Sequence, residues 1–204
     1  MTPLGFLLAR TLRQEGPLAA LSVPRADLFA EVQGKSVALV GNARALADTD
    51  AGPRIEAADL VIRINRAPMP AAESHGCRTD WLALATSIPR PDLARIDPER
   101  ILWMSPKRKR LSYAVATSPG FYLQPLPDIA RLTATLGAPP TTGLMMIDLL
   151  AQSALEGLTL YGFDFFASLS LSGRRTAVQV PHAFPAERAF VEALAARDPR
   201  VRFG

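Results

Sequence analysis

The sequence predicts a single α/β domain, a Rossmann-like and mainly parallel sheet flanked by helices. Three observations predict it. Short apolar runs recur at Val37 to Val40, Leu60 to Ile64, Trp81 to Ala85, Ile101 to Met104, Phe121 to Leu126 and Leu158 to Phe163. Each is apolar at nearly every position rather than at alternate ones, the pattern of strands buried on both faces. Helical or irregular stretches separate them, as a parallel sheet requires, because each crossover must return the chain to the same end of the sheet. A length of 204 residues suits one domain, 1–204, with a sizeable core.

Residues 1–34 read as a helical lead-in. Leu4, Leu7, Leu8 and Leu12 stand at helical spacing, and a second short helical segment runs from Arg25 to Val32. The apolar run at the N-terminus is far shorter than the ~20 residues of a membrane span, and no basic region precedes it, as a signal peptide would need. The expectation is a cytoplasmic protein, with a peripheral contact at the inner face of the membrane as its only membrane association.

The first strand breaks at Gly41-Asn42 and the second at Asn65, ahead of Pro68. Two strands thus each deliver an Asn at the carboxyl end, where open parallel sheets bind ligands. Each Asn taken alone reads as an ordinary turn residue. As a pair they read as nucleotide contacts, because an amide side chain both donates and accepts. Prolines punctuate the loops at 89–98 and 119–127. The best-defined helix opens after Pro139-Pro140 with Thr141 or Thr142 as N-cap and runs to about Glu156, where Gly157 supplies a left-handed cap. It is apolar nearly all round, hence buried. Its first-turn amides and its dipole offer an anion site, with Gly143 allowing close approach of the backbone. A last helix, Ala186 to Arg197, puts Phe190, Val191 and Leu194 on one face.

Composition narrows the function classes. With 49% hydrophobic and 21% charged residues the chain is globular rather than disordered. The single cysteine, Cys77, excludes an internal disulfide and suits a reducing compartment. The net charge of +4, carried mostly by arginine, favours an anionic ligand such as a sugar nucleotide, or an acidic membrane surface. Lys107-Arg108-Lys109-Arg110 lacks the interleaved aromatics of a nucleic-acid groove and reads as a solvated loop, so no nucleic-acid partner is expected. Asp48-Thr49-Asp50 has the Asp-x-Asp form that holds a divalent cation in many nucleotide-sugar transferases. It sits in mid-connection rather than at a strand end and reads as a loop feature. His75, beside Gly76-Cys77, reads as structural or solvent-exposed.

Three stretches, in order, resemble glycosyltransferase family 29, the eukaryotic-type sialyltransferases. Residues 36–68 resemble the family's long motif through Val40-Gly41-Asn42, Gly52-Pro53, Asp59 and Arg63-Ile64-Asn65-Arg66-Ala67-Pro68. Residues 140–163 resemble its short motif, from Pro140-Thr141-Thr142-Gly143 through an apolar helix to Tyr161-Gly162-Phe163. His182 and Glu187, within 181–187, resemble its very short motif. Val37 and Ala154 stand where vertebrate members carry a bridged cysteine pair. A further family motif, with His or Tyr near the donor phosphate, falls in 167–180, which holds neither residue; either Arg174 or Arg175 takes that role, or the catalysis is weak or different.

The resemblance implies a sialyltransferase variant of the GT-A type fold and inverting, metal-independent glycosyl transfer. The donor would be a CMP conjugate of sialic acid or of the related 2-keto acid Kdo, and the acceptor a hydroxyl of a glycan or glycolipid. No cofactor is implied. Gly41, Asn42, Asn65, Thr141, Thr142 and Gly143 would hold the donor nucleotide. His182 would be the general base and Glu187 its support, while Arg63 or Arg66 would meet the sugar carboxylate, Arg63 having a structural role as its other reading because it stands inside an apolar strand. Two other readings stay open: a metal-dependent transferase of a nucleoside-diphosphate sugar through Asp48 and Asp50, and a nucleotide- or partner-binding module without the chemistry.

Overall fold

The structure, a computed structural model, describes residues 1–164 and 181–204. The chain opens with three helices, α1 (Pro3–Thr11), α2 (Glu15–Ala19) and α3 (Arg25–Val32). It then alternates β1 (Ser36–Val40), α4 (Gly52–Glu56), β2 (Leu60–Ile64), α5 (Ala72–His75), β3 (Trp81–Leu84), α6 (Arg90–Ile96), β4 (Arg100–Trp103), α7 (Tyr113–Ala116) and β5 (Tyr122–Leu123). Two helices follow in succession, α8 (Leu126–Leu136) and α9 (Thr142–Ala151), then β6 (Gly157–Tyr161), α10 (Phe184–Arg197) and β7 (Val201–Phe203). Among the described residues the strands form one seven-stranded sheet in the order β5-β4-β3-β2-β1-β6-β7. Every pairing in it is parallel.

The strand order fixes where a ligand can sit. From β1 the chain steps outward through β2 to β5, then returns to the other side of β1 with β6 and β7. Connections on the two sides of β1 therefore diverge, and a crevice opens at the carboxyl end of this switch point. Alternate residues of each strand feed two layers of core. Leu39, Ile62, Ala83 and Leu160 pack with Leu28, Leu132, Met146 and Val191, from α3, α8, α9 and α10. On the other face, Leu82, Leu84 and Trp103 pack with Phe6, Leu18 and Val115, from α1, α2 and α7. Ala38, Val40 and Val61 pack with Ile55 of α4. Residues 1–34 are thus part of the layered core.

Three expectations from the sequence are corrected. The helix opening at Thr142 ends at Ala151 rather than near Glu156, and Gly157 is the first residue of β6, opposite Ser36. Residues 152–156 are taken up by the chain entering β1, for Gly34 N donates to Ala154 O at 2.9 Å and Glu156 N to Lys35 O at 2.9 Å. These bonds join the ends at which the vertebrate cysteine pair would lie. The strand expected over Phe121 to Leu126 shrinks to Tyr122–Leu123, because Pro125 and Pro127 open α8 at Leu126. The edge strand β7 has no apolar run to announce it. It forms because Val201, Arg202 and Phe203 fall beside Leu158, Thr159 and Leu160.

The lead-in helix also turns a different face inward than its leucines suggest. Phe6 and Ala9 are buried, while Leu4, Leu7, Leu8 and Leu12 are 47 to 67% exposed. Phe6 meets Tyr113 edge-on with ring centroids 5.6 Å apart, and the Arg10 guanidinium lies over its ring. No helix among the described residues is long and apolar enough to cross a membrane.

Candidate active site

The site is built where β1, β2 and β3 end and α9 begins. At the end of β1, Gly41 N donates to Tyr161 O at 2.7 Å and Ala43 N to Gly162 O at 3.2 Å, so β1 and β6 stay joined beyond their last residues. A Cβ at Gly41 would run into the Gly162 carbonyl, so this position accepts no side chain. Asn42 is buried to 9% exposure, and its amide nitrogen donates to Ile64 O at 3.5 Å, which links the ends of β1 and β2.

Asn65 ties together three elements. Its backbone is left-handed at φ 54, a conformation Asn adopts more readily than most residues, and Ala67 at φ 45 completes the sharp exit from β2. Its Oδ1 accepts from the Ala85 amide at 3.1 Å, and its Nδ2 donates to Thr142 Oγ1 at 3.5 Å. The turn therefore holds the amide side chain between the end of β3 and the first turn of α9.

The start of α9 is in turn held by α10. Thr141 is the N-cap, its Oγ1 accepting from Leu144 N at 3.1 Å. Both oxygens of Glu187 receive hydrogen bonds from Thr141, Oε1 from the backbone amide at 2.6 Å and Oε2 from the hydroxyl at 2.7 Å. Glu187 is 2% exposed. Burial pushes its carboxyl above the ordinary range, against the Thr141 hydrogen bonds and nearby His182, which favour the charged form. The geometry makes Glu187 a positioning residue that clamps two helix amino ends together. Its oxygens are already taken.

His182 stands just before α10, half-buried, with Nδ1 2.8 Å from the Pro139 carbonyl oxygen. A carbonyl can only accept, so Nδ1 carries the hydrogen and Nε2 of the neutral ring keeps its lone pair. The Phe184 ring, 5.9 Å away centroid to centroid, flanks the imidazole. An oriented base is thus attached to the same Pro139 to Thr142 turn that begins α9.

Several sequence-predicted residues take other roles. Arg63 is 1% exposed, and its Nε and Nη2 donate to the carbonyls of Arg78 at 2.9 Å and His75 at 2.6 Å. Burial lowers its pKa to about 10. It is a structural cation inside the sheet layer, engaged by backbone carbonyls and unavailable to a sugar carboxylate. Arg66, one residue past Asn65, is exposed at the rim. A Cβ at Gly143 would lie 2.5 Å from Phe163 Cε1, so this glycine is set by the Phe163 ring packed above the helix start. Asp48 and Asp50 face solvent, Asp50 in an exposed ion pair with Arg54 at 3.4 Å. Among the described residues no group of three or more His, Cys, Asp or Glu could hold a metal ion. His75 is fully buried with Nδ1 2.8 Å from Ser74 Oγ, a structural residue. Asp59 fastens the starts of β1 and β2, accepting from Ser36 N at 2.8 Å and Ser36 Oγ at 2.6 Å. Arg174 and Arg175 lie outside the described residues.

Reading the sequence missed three participants: the Pro139 carbonyl, the Ala85 amide and the Phe163 ring. Two are backbone groups, which carry no signal in residue identity. Phe163 was visible as the end of an apolar run and of the short-motif resemblance, with nothing to place its ring over Gly143.

A family model for glycosyltransferase family 29 (sialyltransferase) matches residues 18–117, which include the stretch 36–68. Among solved structures, a mammalian sialyltransferase in complex with Gal-beta-1-3GalNAc-ortho-nitrophenol is similar at 18% identity and a TM-score of 0.60, over 86% of this chain and 71% of that one. A second mammalian sialyltransferase structure is similar at 17% identity and a TM-score of 0.62, over 88% and 77%. The sialyltransferase CstII from Campylobacter jejuni, in complex with the substrate analogue CMP-3FNeuAc, is similar at 16% identity and a TM-score of 0.56, over 83% and 80%. No curated protein matches. A parallel sheet with amide side chains, a helix amino end and an oriented histidine at one switch point is, with these matches, the architecture of a glycosyltransferase. The sequence match to glycosyltransferase family 29, the sialyltransferases, covers residues 18–117, and the solved sialyltransferases share the fold of the chain.

Proposed function

We propose that the protein is an inverting glycosyltransferase that moves sialic acid, or the related 2-keto acid Kdo, from its CMP conjugate to a hydroxyl of a glycan acceptor without a metal ion. The observation that carries this reading is the His182–Pro139 hydrogen bond, which presents a basic Nε2 beside the amino end of α9. His182 Nε2 takes the acceptor hydroxyl proton as that oxygen attacks the anomeric carbon on the face opposite the phosphate. Such a base typically contributes about a hundred- to ten-thousandfold in rate.

The leaving CMP carries a monophosphate, and the first turn of α9 suits it. Thr141 Oγ1 is committed to Leu144 and Glu187, which leaves the amides of Thr142 and Gly143 and the Thr142 hydroxyl as first-turn donors. Asn42 and Asn65 hold the nucleoside from the ends of β1 and β2, with Gly41 keeping that floor free of a side chain. Arg66 meets the sugar carboxylate. The CstII structures with CMP-3FNeuAc and with CMP support a cytidine donor for this fold.

The test is thermal melting with CMP, UDP and GDP, each with and without chelator, on the wild type and on the Asn65→Gly variant, which keeps the turn and removes the amide. CMP at a hundredfold its Kd stabilises the folded state by about 2.7 kcal/mol, a shift on the order of 5 to 10 °C for a chain of this size. That shift should ignore chelator and vanish in Asn65→Gly. A chelator-sensitive shift with UDP or GDP would instead favour Asp48 and Asp50 and overturn the proposal. His182→Ala should keep the CMP shift and lose transfer; a variant as active as the wild type removes His182 from the chemistry.

A further inference from the structure

We infer that α1 and the basic turn beside it form a docking surface for an anionic lipid bilayer. Leu4, Leu7, Leu8 and Leu12 are all exposed on one side of α1, opposite the buried Phe6 and Ala9. Leucines at this spacing form one continuous stripe, and four exposed together are more than the scattered apolar residues of an ordinary surface. No acidic residue occurs before Glu15, and Glu15 is bound to the buried Arg108 at 2.5 Å.

What covers the stripe is indicated by its border. Arg10 Nη1 donates to Leu111 O at 2.8 Å and Tyr113 Oη to Met1 O at 2.9 Å, so α1 is pinned against the segment 108–113. That segment and the residue before it bring Lys107, Lys109 and Arg110, all exposed, alongside, and Arg13 is exposed just past the end of the helix. An apolar stripe bordered by cations, whose neighbouring carboxylate Glu15 is already bound to Arg108, complements an interface that offers acyl chains and negative headgroups. A protein partner of equal fit would have to be apolar and acidic together. A second copy of this chain would bring cations against cations.

The place of the surface gives it a use. The basic turn leaves the carboxyl end of β4, and Phe6 shares a core cluster with Ala67, in the turn after β2. The stripe therefore stands on the rim of the sheet that carries Asn65 and α9, on the opposite face from α9. Docked by this stripe, the chain is held at the bilayer, where a lipid-linked acceptor would be presented. That consequence rests on the transferase reading, whereas the docking itself does not.

Co-flotation of the full chain with phosphatidylcholine vesicles, with and without phosphatidylglycerol, tests the proposal independently of activity. The wild type should float with the anionic vesicles alone, and salt should release it. Lys109→Ser/Arg110→Ser should weaken binding about fivefold per charge removed, and Leu4→Ser/Leu8→Ser about tenfold per leucine. Unchanged melting temperatures show that both variants fold. A wild type that stays at the bottom of the gradient, equal binding to neutral vesicles, or variants that float like the wild type would overturn it. So would a dimer seen in sedimentation that Leu4→Ser/Leu8→Ser dissolves, since the stripe would then cover itself.

Discussion

Glu187 shows how much a single buried carboxylate can hold together. It receives the Thr141 amide and hydroxyl, so its removal leaves a buried donor without a partner and frees the start of α9 from α10. Glu187→Ala should cost about 1 to 3 kcal/mol and weaken CMP binding, because the first turn of α9 loses its anchor. Melting curves and CMP titration read both effects. Burial also raises this carboxyl, so the folded chain holds its proton more tightly than the unfolded chain does. A group of this kind contributes most below the unfolded pKa, and its contribution is lost as pH rises through the folded one. On lowering the pH from neutrality into the carboxylate range, the wild type should therefore gain stability relative to Glu187→Gln, in which nothing titrates. A gain by the variant instead would mean that the Thr141 hydrogen bonds outweigh burial. At the same scale, Arg63 and Arg66 cannot be told apart by type. The place of Arg63 inside an apolar strand suggests the interior, and the carbonyls of His75 and Arg78 around it fix it there and leave Arg66 at the rim.

Among the elements, the join between β1 and β6 decides whether the site has a floor. Gly41 and Gly162 lie so close that neither strand end can move apart without breaking the Gly41–Tyr161 and Ala43–Gly162 bonds. Gly41→Ala places a methyl against a backbone carbonyl that no rotamer can move, and overpacking of this kind costs about 1 to 3 kcal/mol. Its melting temperature should fall and its CMP shift should shrink with it, whereas Gly137→Ala, where a Cβ meets open space but φ is +69, should cost stability and leave the CMP shift intact. A Gly41→Ala protein with wild-type CMP binding would show that the β1 end does not contact the nucleotide. The element most clearly announced by sequence, α9, ends earlier than its sequence suggests. Leu155 extends its apolar set past Ala151, yet Ala154 and Glu156 are drawn into backbone hydrogen bonds with the approach to β1.

For the whole molecule, the question is whether the lead-in is an appendage or a layer. Phe6 is 2% exposed and packs in the cluster with Leu82, Leu84 and Trp103, so α1 closes one face of the sheet. Phe6→Ala should cost about 3 to 5 kcal/mol, while Leu8→Ala on the exposed side should stay within about 0.5 kcal/mol. Chemical denaturation of the two variants measures this contrast directly. Equal, small effects would mean that α1 is dispensable to the fold, and the docking rim would then lose its fixed place beside the site.

The sequence by itself determined the parallel sheet, the two asparagines at neighbouring strand ends, the capped start of α9 and the family resemblance. All of these are local in the chain: a strand buried on both faces is apolar throughout, and a cap or a turn needs particular residues at particular positions. The tertiary structure decided what depended on neighbours distant in sequence. It turned the leucines of α1 outward because Phe6 found Tyr113, added β7 beside β6, and gave Glu187 to Thr141 and Nδ1 of His182 to Pro139. The physical reason is that a side chain's role follows from burial and from its hydrogen-bond partners. Those partners are largely backbone groups, which every residue carries and no sequence spells out.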